Sequence, residues 1–524
     1  MLSPPRIGRF PFGAFVTPPP LVHLRGVDGQ EGAALYSVEA RDVAAVFAAA
    51  CGLYLLTLCP GPFWGDSAAL ASHLDTTPTP FARSYWLYKG GARVLTGLGF
   101  SPALAVNLTS AAWAAVAVAL TDAVVQRVTG DRLAAVLAAG SLAVAHTMWS
   151  FAVVGEVYTL LVAWQLALVL LVLGAPSRRR EAILLGVLGG LALNHHRLLL
   201  ASLPALALYL VLASARIDRR AVLGRAAAGF AVGAVPFAVL CLLHPPSSLP
   251  VPEGVDAWTR WWQKAALGGA WSADQIGDGS GKPLLENLGY VARFVLLDFP
   301  SPALALAALG AWSCRDGPQR KLGALLGALG GVYVLTGLRF GWAGDQFSFL
   351  LPLYPVVAIA AGLGLARLKR RTRRRSGVVA SVVAPPLLYA LLAFTTLGAP
   401  LLERSPPQER AQILWPGKTG FDLPETWCRA RLAELPPGAI LVSQWGEGTV
   451  FRYLQQTETL RTDVQLRLHR DGPLPIDRRE MEVWVTWSPY ATEPPESLRA
   501  LDLELEGEAP GFRRLRRLPT GRRP

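Results

Sequence analysis

The sequence predicts a polytopic α-helical membrane protein of about 11 transmembrane helices, followed by a small C-terminal α/β soluble domain. Three observations carry this prediction. Of 524 residues, 52% are hydrophobic and only 17% charged, where a soluble globular chain carries about 25% charged residues. Apolar runs of spanning length recur from residue 43 to about 398. Beyond about 400 the composition turns polar, with Pro406, Pro407, Pro436 and Pro437 as punctuation.

The runs fall at about 43–59, 103–126, 132–149, 152–173, 222–243, 287–312, 321–338, 348–366 and 377–397. A further run over 182–213 carries Asn194, His195, His196 and Arg197 at its centre. No lipid-facing helix centre tolerates that group, so the run reads as a hairpin of two short helices. Lys and Arg collect on the cytoplasmic side of membrane proteins, and this tests the count. With the N-terminus inside, eleven spans place Arg127 with Arg132, Arg178–Arg180, Arg216 with Arg225, Arg315 with Lys321, and Arg367–Arg375 all on that side. Counting 182–213 as one span would move every later cluster to the wrong side.

This arrangement divides the chain into an arm over 1–40, a membrane domain over 41–398 and an extracytoplasmic α/β domain over 399–524. The arm carries Pro18, Pro19 and Pro20 and reads as disordered and cytoplasmic rather than as a signal peptide. In the tail, Ala439–Ser443 reads as a strand, Gly446–Gly448 as a turn, Thr449–Gln456 as a helix and Val464–Leu468 as a second strand. Glu482–Trp487 and Leu501–Leu505 add alternating strands.

The net charge of +13 and pI near 9.8 come from the Arg clusters between spans, so nucleic acid is not the expected partner. The five Cys lack both a disulfide framework and metal-ligand spacing. No carboxylate pair in the first loop argues for a divalent metal, Asp75 being a distant candidate; no metal-ligating residues are assigned, and the sequence leaves a metal requirement open.

The same topology collects the unusual polar groups on the non-cytoplasmic side: the 60–102 loop, the turn from Trp149 to Glu156, the Asn194–Arg197 turn, the 244–286 loop, and Gly344, Asp345 and Gln346. One aqueous cavity explains them together. The first loop opens with Trp64, Gly65, Asp66 and Ser67. An acid a few residues beyond a membrane helix is held at the lipid-water boundary, where a lipid-borne substrate presents its head group, although a carboxylate there also caps a following helix. Arg83, Tyr85, Trp86, Tyr88, Lys89 and Arg93 follow, a mixture that serves equally to anchor a helix at the interface or to grip a lipid phosphate. Glu156 and Tyr158 belong at the cavity mouth, where Glu156 is a functional candidate or a helix-initiating carboxylate. His195 and His196 are adjacent, not a helical two-His metal pair, and Arg197 suits a phosphate. Trp258, Trp261, Trp262 and Lys264 resemble an interfacial anchor.

With these residues in view, the chain resembles the GT-C class of membrane glycosyltransferases, and within it the protein O-mannosyltransferase-like family. The resemblance rests on Pro60, Gly61, Trp64, Gly65, Asp66 and Ser67 after the first helix; Trp149, Glu156, Val157 and Tyr158; Gly190–His195; Gly344, Asp345 and Gln346 before Leu351 and Pro352; and Leu435, Pro436, Pro437 and Gly438 opening the tail. It implies a GT-C type fold in a cell-envelope membrane such as the bacterial inner membrane. It further implies transfer of a sugar, for instance mannose, from a polyprenyl-phosphate donor to a protein, lipid or glycan hydroxyl on the non-cytoplasmic face. Asp66 is then the general base of an inverting reaction, with Glu156 beside it. Trp64, Arg83, Lys89, Tyr158, Asn194, His195, His196, Arg197, Asp345 and Gln346 are the expected substrate-binding residues. Three other readings use the same features: a flippase or transporter for a lipid-linked sugar, a family member that has lost turnover, and a scaffold whose tail binds a partner.

Overall fold

Helices of spanning length dominate the membrane domain because the runs are long, apolar and rich in Ala, Leu and Val. The computed structural model describes residues 38–79, 84–174, 179–213, 219–245, 256–262, 284–315, 319–339, 346–368, 371–402, 407–468, 482–490, 505–506 and 511–515. Among them, five single helices are long and apolar enough to cross a membrane: Pro102–Thr129, Arg219–Leu243, Arg320–Leu338, Phe347–Arg367 and Arg374–Phe394. Ala40–Leu56 and Tyr158–Leu173 are shorter apolar helices of 17 and 16 residues. Nearly all of the expected N-terminal arm lies outside the described residues.

Two expected spans are not continuous. The 132–149 run divides into Arg132–Ala143 and His146–Ala152, bent by 67°, and the 287–312 run into Leu285–Asp298 and Ala303–Ser313, bent by 111°. The second break has a local cause, because Pro300 and Pro302 cannot continue a helix. The first is sustained from a distance. Asp298 accepts hydrogen bonds from the Thr147 backbone N–H (2.6 Å) and hydroxyl (2.9 Å), so a carboxylate 151 residues away caps the new helix.

The 182–213 run breaks where its polar centre predicts. Arg179–Leu191 ends in a 3-10 turn over Ala192–Asn194, and a second turn over Arg197–Ser202 leads into Leu203–Ala213. The two halves pack mainly against other helices, the first along Arg219–Leu243 and the second against Arg320–Arg339. A close helix crossing joins Ala303–Ser313 to Tyr354–Arg367. Side chains added at Gly310 and Gly364 would come within 1.9 Å of the Ala360 and Leu306 carbonyl oxygens, so only glycine permits this approach.

The tail forms a five-stranded sheet in the order β2-β1-β3-β5-β4. Strands β1 (Ile440–Ser443), β2 (Gln465–Leu468) and β3 (Val483–Thr486) are parallel, and β5 (Phe512–Leu515) runs antiparallel between β3 and β4 (Leu505–Glu506). The expected turn at Gly446–Gly448 is instead the first turn of the helix Trp445–Glu458. Gly448 serves packing: a Cβ there would lie 2.2 Å from Leu468 Cδ2, where the helix meets β2.

A single apolar core joins the tail to the membrane domain. Ala68, Leu70, Tyr88, Val106 and Leu160 on one side pack in the same cluster as Cys428, Leu432, Leu441, Phe451 and Leu454 on the other.

Candidate active site

The start of the loop after Ala40–Leu56 is held by the segment that opens the tail. Thr419 Oγ1 donates to the Leu56 carbonyl, Lys418 N donates to the Thr57 carbonyl, and Phe63 packs on Phe421 with ring centroids 5.6 Å apart. From beneath, Asn107 Nδ2 donates to the Cys59 and Gly61 carbonyls at 2.9 and 3.0 Å. Asn107 lies inside the apolar Pro102–Thr129 helix, and its amide there supplies the donors that an irregular loop on a membrane helix requires.

At the end of this loop Gly65 adopts φ 68°, a conformation glycine takes without strain, and turns the chain into the short helix Asp66–Ser72. Asp66 is exposed at the first position of that helix. Its Oδ1 accepts a hydrogen bond of 3.0 Å from Trp445 Nε1, and Gly65 N donates to the Gly446 carbonyl at 3.2 Å. Ser67 Oγ, buried, accepts from Gly155 N at 3.1 Å, which ties the loop to the turn carrying Glu156.

That turn is held by the Pro102–Thr129 helix. Ser110 Oγ accepts from Glu156 N at 2.7 Å and lies 2.7 Å from the Tyr88 hydroxyl, which in turn reaches the Val106 carbonyl. The Glu156 side chain is half-buried. Two residues after Glu156, Tyr158 opens the helix Tyr158–Leu173.

Next to Tyr158 the broken helix contributes its polar centre. Tyr158 packs on His196 at 4.9 Å, Tyr85 stacks on His196 at 5.8 Å, and Trp164 stacks on His195 at 6.0 Å. His196 Nδ1 accepts from Leu198 N. Asn194 and His195 are only 5% and 1% exposed. Among the described residues, neither the Asn194 amide nor either His195 ring nitrogen has a hydrogen-bond partner; the Val157 backbone nears the ring without good geometry. Buried polar groups are ordinarily paired, so these two suit a polar ligand. Arg197 lies 4.9 Å over the Phe237 ring and within electrostatic reach of Tyr85.

Lys89, on the helix Trp86–Gly97, is buried and donates to Thr76 Oγ1 at 3.1 Å. Burial, with the Arg93 charge nearby, pushes its amine down to about 8. Trp64 meets Trp427 of the tail edge-on at 6.4 Å, a packing contact. Arg83 and Asp345 lie outside the described residues. Gln346 opens the helix Gln346–Phe349, its side chain outside the description. Tyr85, Asn107, Ser110, Trp164 and Trp445 were not among the expected site residues. Asn107 and Ser110 had a signal, as polar positions inside an apolar span; Trp445 had none.

The arrangement as a whole matches solved structures. ArnT from Cupriavidus metallidurans bound to undecaprenyl phosphate superposes with a TM-score of 0.55 over 92% of this chain and 99% of that chain, at 13% identity. The apo state of the same protein gives 0.52 over 90% and 97%, at 15% identity. The fold is the GT-C fold of ArnT. Residues 71–220 also match the family model described as the protein O-mannosyl-transferase TMEM260 N-terminal domain. That segment runs from the Asp66–Ser72 helix to the start of Arg219–Leu243, so it includes Lys89, Glu156, Tyr158 and the Asn194–Arg197 turn. No curated protein sequence matches the chain. Within this GT-C fold, Asp66 stands just before the matched segment, at the junction of membrane domain and tail.

Proposed function

We propose that this protein is a GT-C glycosyltransferase that moves a sugar, mannose as the leading candidate, from a polyprenyl-phosphate carrier to a hydroxyl of a protein or glycan on the non-cytoplasmic face. The observation that carries the reading is the exposed Asp66 carboxylate, held by Trp445 of the tail on a loop that Ser67 ties to the turn carrying Glu156. The TMEM260-type segment supports mannose transfer, and the ArnT relative bound to undecaprenyl phosphate supports the carrier.

In the proposed reaction Asp66 takes the proton of the acceptor hydroxyl as its oxygen bonds to the anomeric carbon. The bond from that carbon to the phosphate oxygen breaks, its electron pair leaves on the phosphate, and the configuration inverts. A phosphate leaving group needs cations rather than a proton, and Lys89, Arg197 and Arg83 are the residues assigned to it. Glu156 accepts a sugar hydroxyl and steadies positive charge at the anomeric carbon. Asn194, His195 and the aromatic faces of Tyr85, Tyr158 and His196 enclose the sugar, and Asp345 and Gln346 complete the binding side. No step in this scheme calls on a metal.

The test is to give membranes containing the protein a radiolabelled polyprenyl-phosphate mannose. Label bound to acceptor, with one carrier phosphate freed per sugar transferred, is the expected result. Label that crosses sealed vesicles with its carrier intact would replace this reading by lipid transport.

A further inference from the structure

The tail does more than cover the site. Its contacts with the first loop fall on both sides of Gly65: Trp64 rests on Trp427, Gly65 N donates to the Gly446 carbonyl, and Asp66 accepts from Trp445 Nε1. Trp445 is the first residue of a 14-residue helix that follows β1 directly. This point lies at the carboxyl end of β1, which neighbours β3 in the sheet while the next strand in the chain, β2, pairs on its other side; α/β sheets place functional groups at such ends. The indole is set by a rigid base. β1 is buried along its length, Phe451 of the same helix packs on Trp427 at 5.9 Å, and the Ser443 and Thr486 hydroxyls of β1 and β3 are bonded at 2.7 Å.

A carboxylate at the exposed start of a short helix has free rotation about two side-chain bonds. One N–H donor from a fixed indole removes that freedom and leaves the second oxygen, Oδ2, for another partner. We propose that Trp445 is a positioning residue that orients Asp66, so that the extracytoplasmic domain completes the active site of the membrane domain. The inference rests on the proposed role of Asp66, and the experiment separates the two.

The protein is the full chain in lipid nanodiscs, the probe is polyprenyl-phosphate mannose, and the variant is Trp445→Phe, which keeps an aromatic ring and removes the indole N–H together with the second ring. The expected result is a fall in kcat of about tenfold or more, because a misdirected base loses near-attack geometry, with donor KM within about twofold, and the labelling and exchange readouts separate loss of the N–H from loss of packing. In parallel, labelling of Asp66 by a water-soluble carbodiimide at fixed pH becomes several-fold faster, and hydrogen exchange over residues 56–72 stays as in the wild type. Unchanged labelling overturns the proposal whether or not the protein transfers sugar. A general loss of exchange protection over 56–72 overturns it too, since Trp445 would then hold the domains together rather than aim a carboxylate. Faster labelling in a wild-type background that transfers no sugar leaves the positioning role standing and rejects the transferase reading.

Discussion

Lys89 shows how a single side chain can combine burial with a proposed role at the donor phosphate. An amine that burial pushes down to about 8 is partly neutral at the pH where an ordinary lysine is fully charged. Its folded value lies below its unfolded one, so the unfolded chain binds more protons between about 8 and 10.5, and this group's cost to stability is full below about 8 and relieved as pH rises. Phosphate binding reverses the preference, because it favours the charged amine. Donor affinity should therefore fall as pH rises above about 8, measured as donor KM between pH 7 and 9.5. Lys89→Arg, which stays charged, should flatten that rise, and an unchanged profile in the variant would remove Lys89 from the phosphate site. Ser110 acts at the same scale through backbone. It holds the Glu156 N–H, so Ser110→Ala should lower kcat several-fold while leaving donor binding close to normal.

At the scale of elements, the bends are what bring the site together. The His146–Ala152 helix leads into the turn carrying Gly155 and Glu156, and its first turn is capped by Asp298. Asp298→Ala should cost about 1–3 kcal/mol, seen as a lower Tm in detergent, and should reduce transfer because the Glu156 turn loses its support. Sequence reading found the break at Asn194–Arg197, since four polar residues cannot face lipid. It treated 287–312 as continuous although Pro300 and Pro302 mark the break, because the apolar composition on both sides outweighed them. The bend near residue 145 left no local mark, its stabilising carboxylate being 151 residues away. Likewise Gly446 and Gly448 suggested a turn, but the constraint on Gly448 is the distant Leu468. Local composition records local causes, and the site depends on both kinds.

For the whole molecule, membrane domain and tail are joined through one shared apolar cluster and a set of hydrogen bonds. Lys418 illustrates this: its Nζ donates to the Gln412, Trp415 and Pro416 carbonyls while its backbone N–H reaches Thr57 at the end of the first helix. Lys418→Met would leave three carbonyls without their donor, and a loss of about 3 kcal/mol is expected. Heat should then expose the loop over 56–66 and the tail together, which limited proteolysis would report. The class of fold, and the place of Asp66 in the loop after the first helix, were legible in the sequence from hydropathy and motif order. The dependence of Asp66 on the tail was not, since it is carried by one indole 379 residues later.

The central claim is that Asp66 is the base of a sugar transfer. Its most direct test is the rate at which purified Asp66→Asn, in nanodiscs with labelled polyprenyl-phosphate mannose and acceptor, releases free carrier phosphate. The amide keeps the shape and cannot take the proton, so release should fall at least about a hundredfold relative to the wild type with donor binding retained. Release at the wild-type rate from a correctly folded variant would contradict the account.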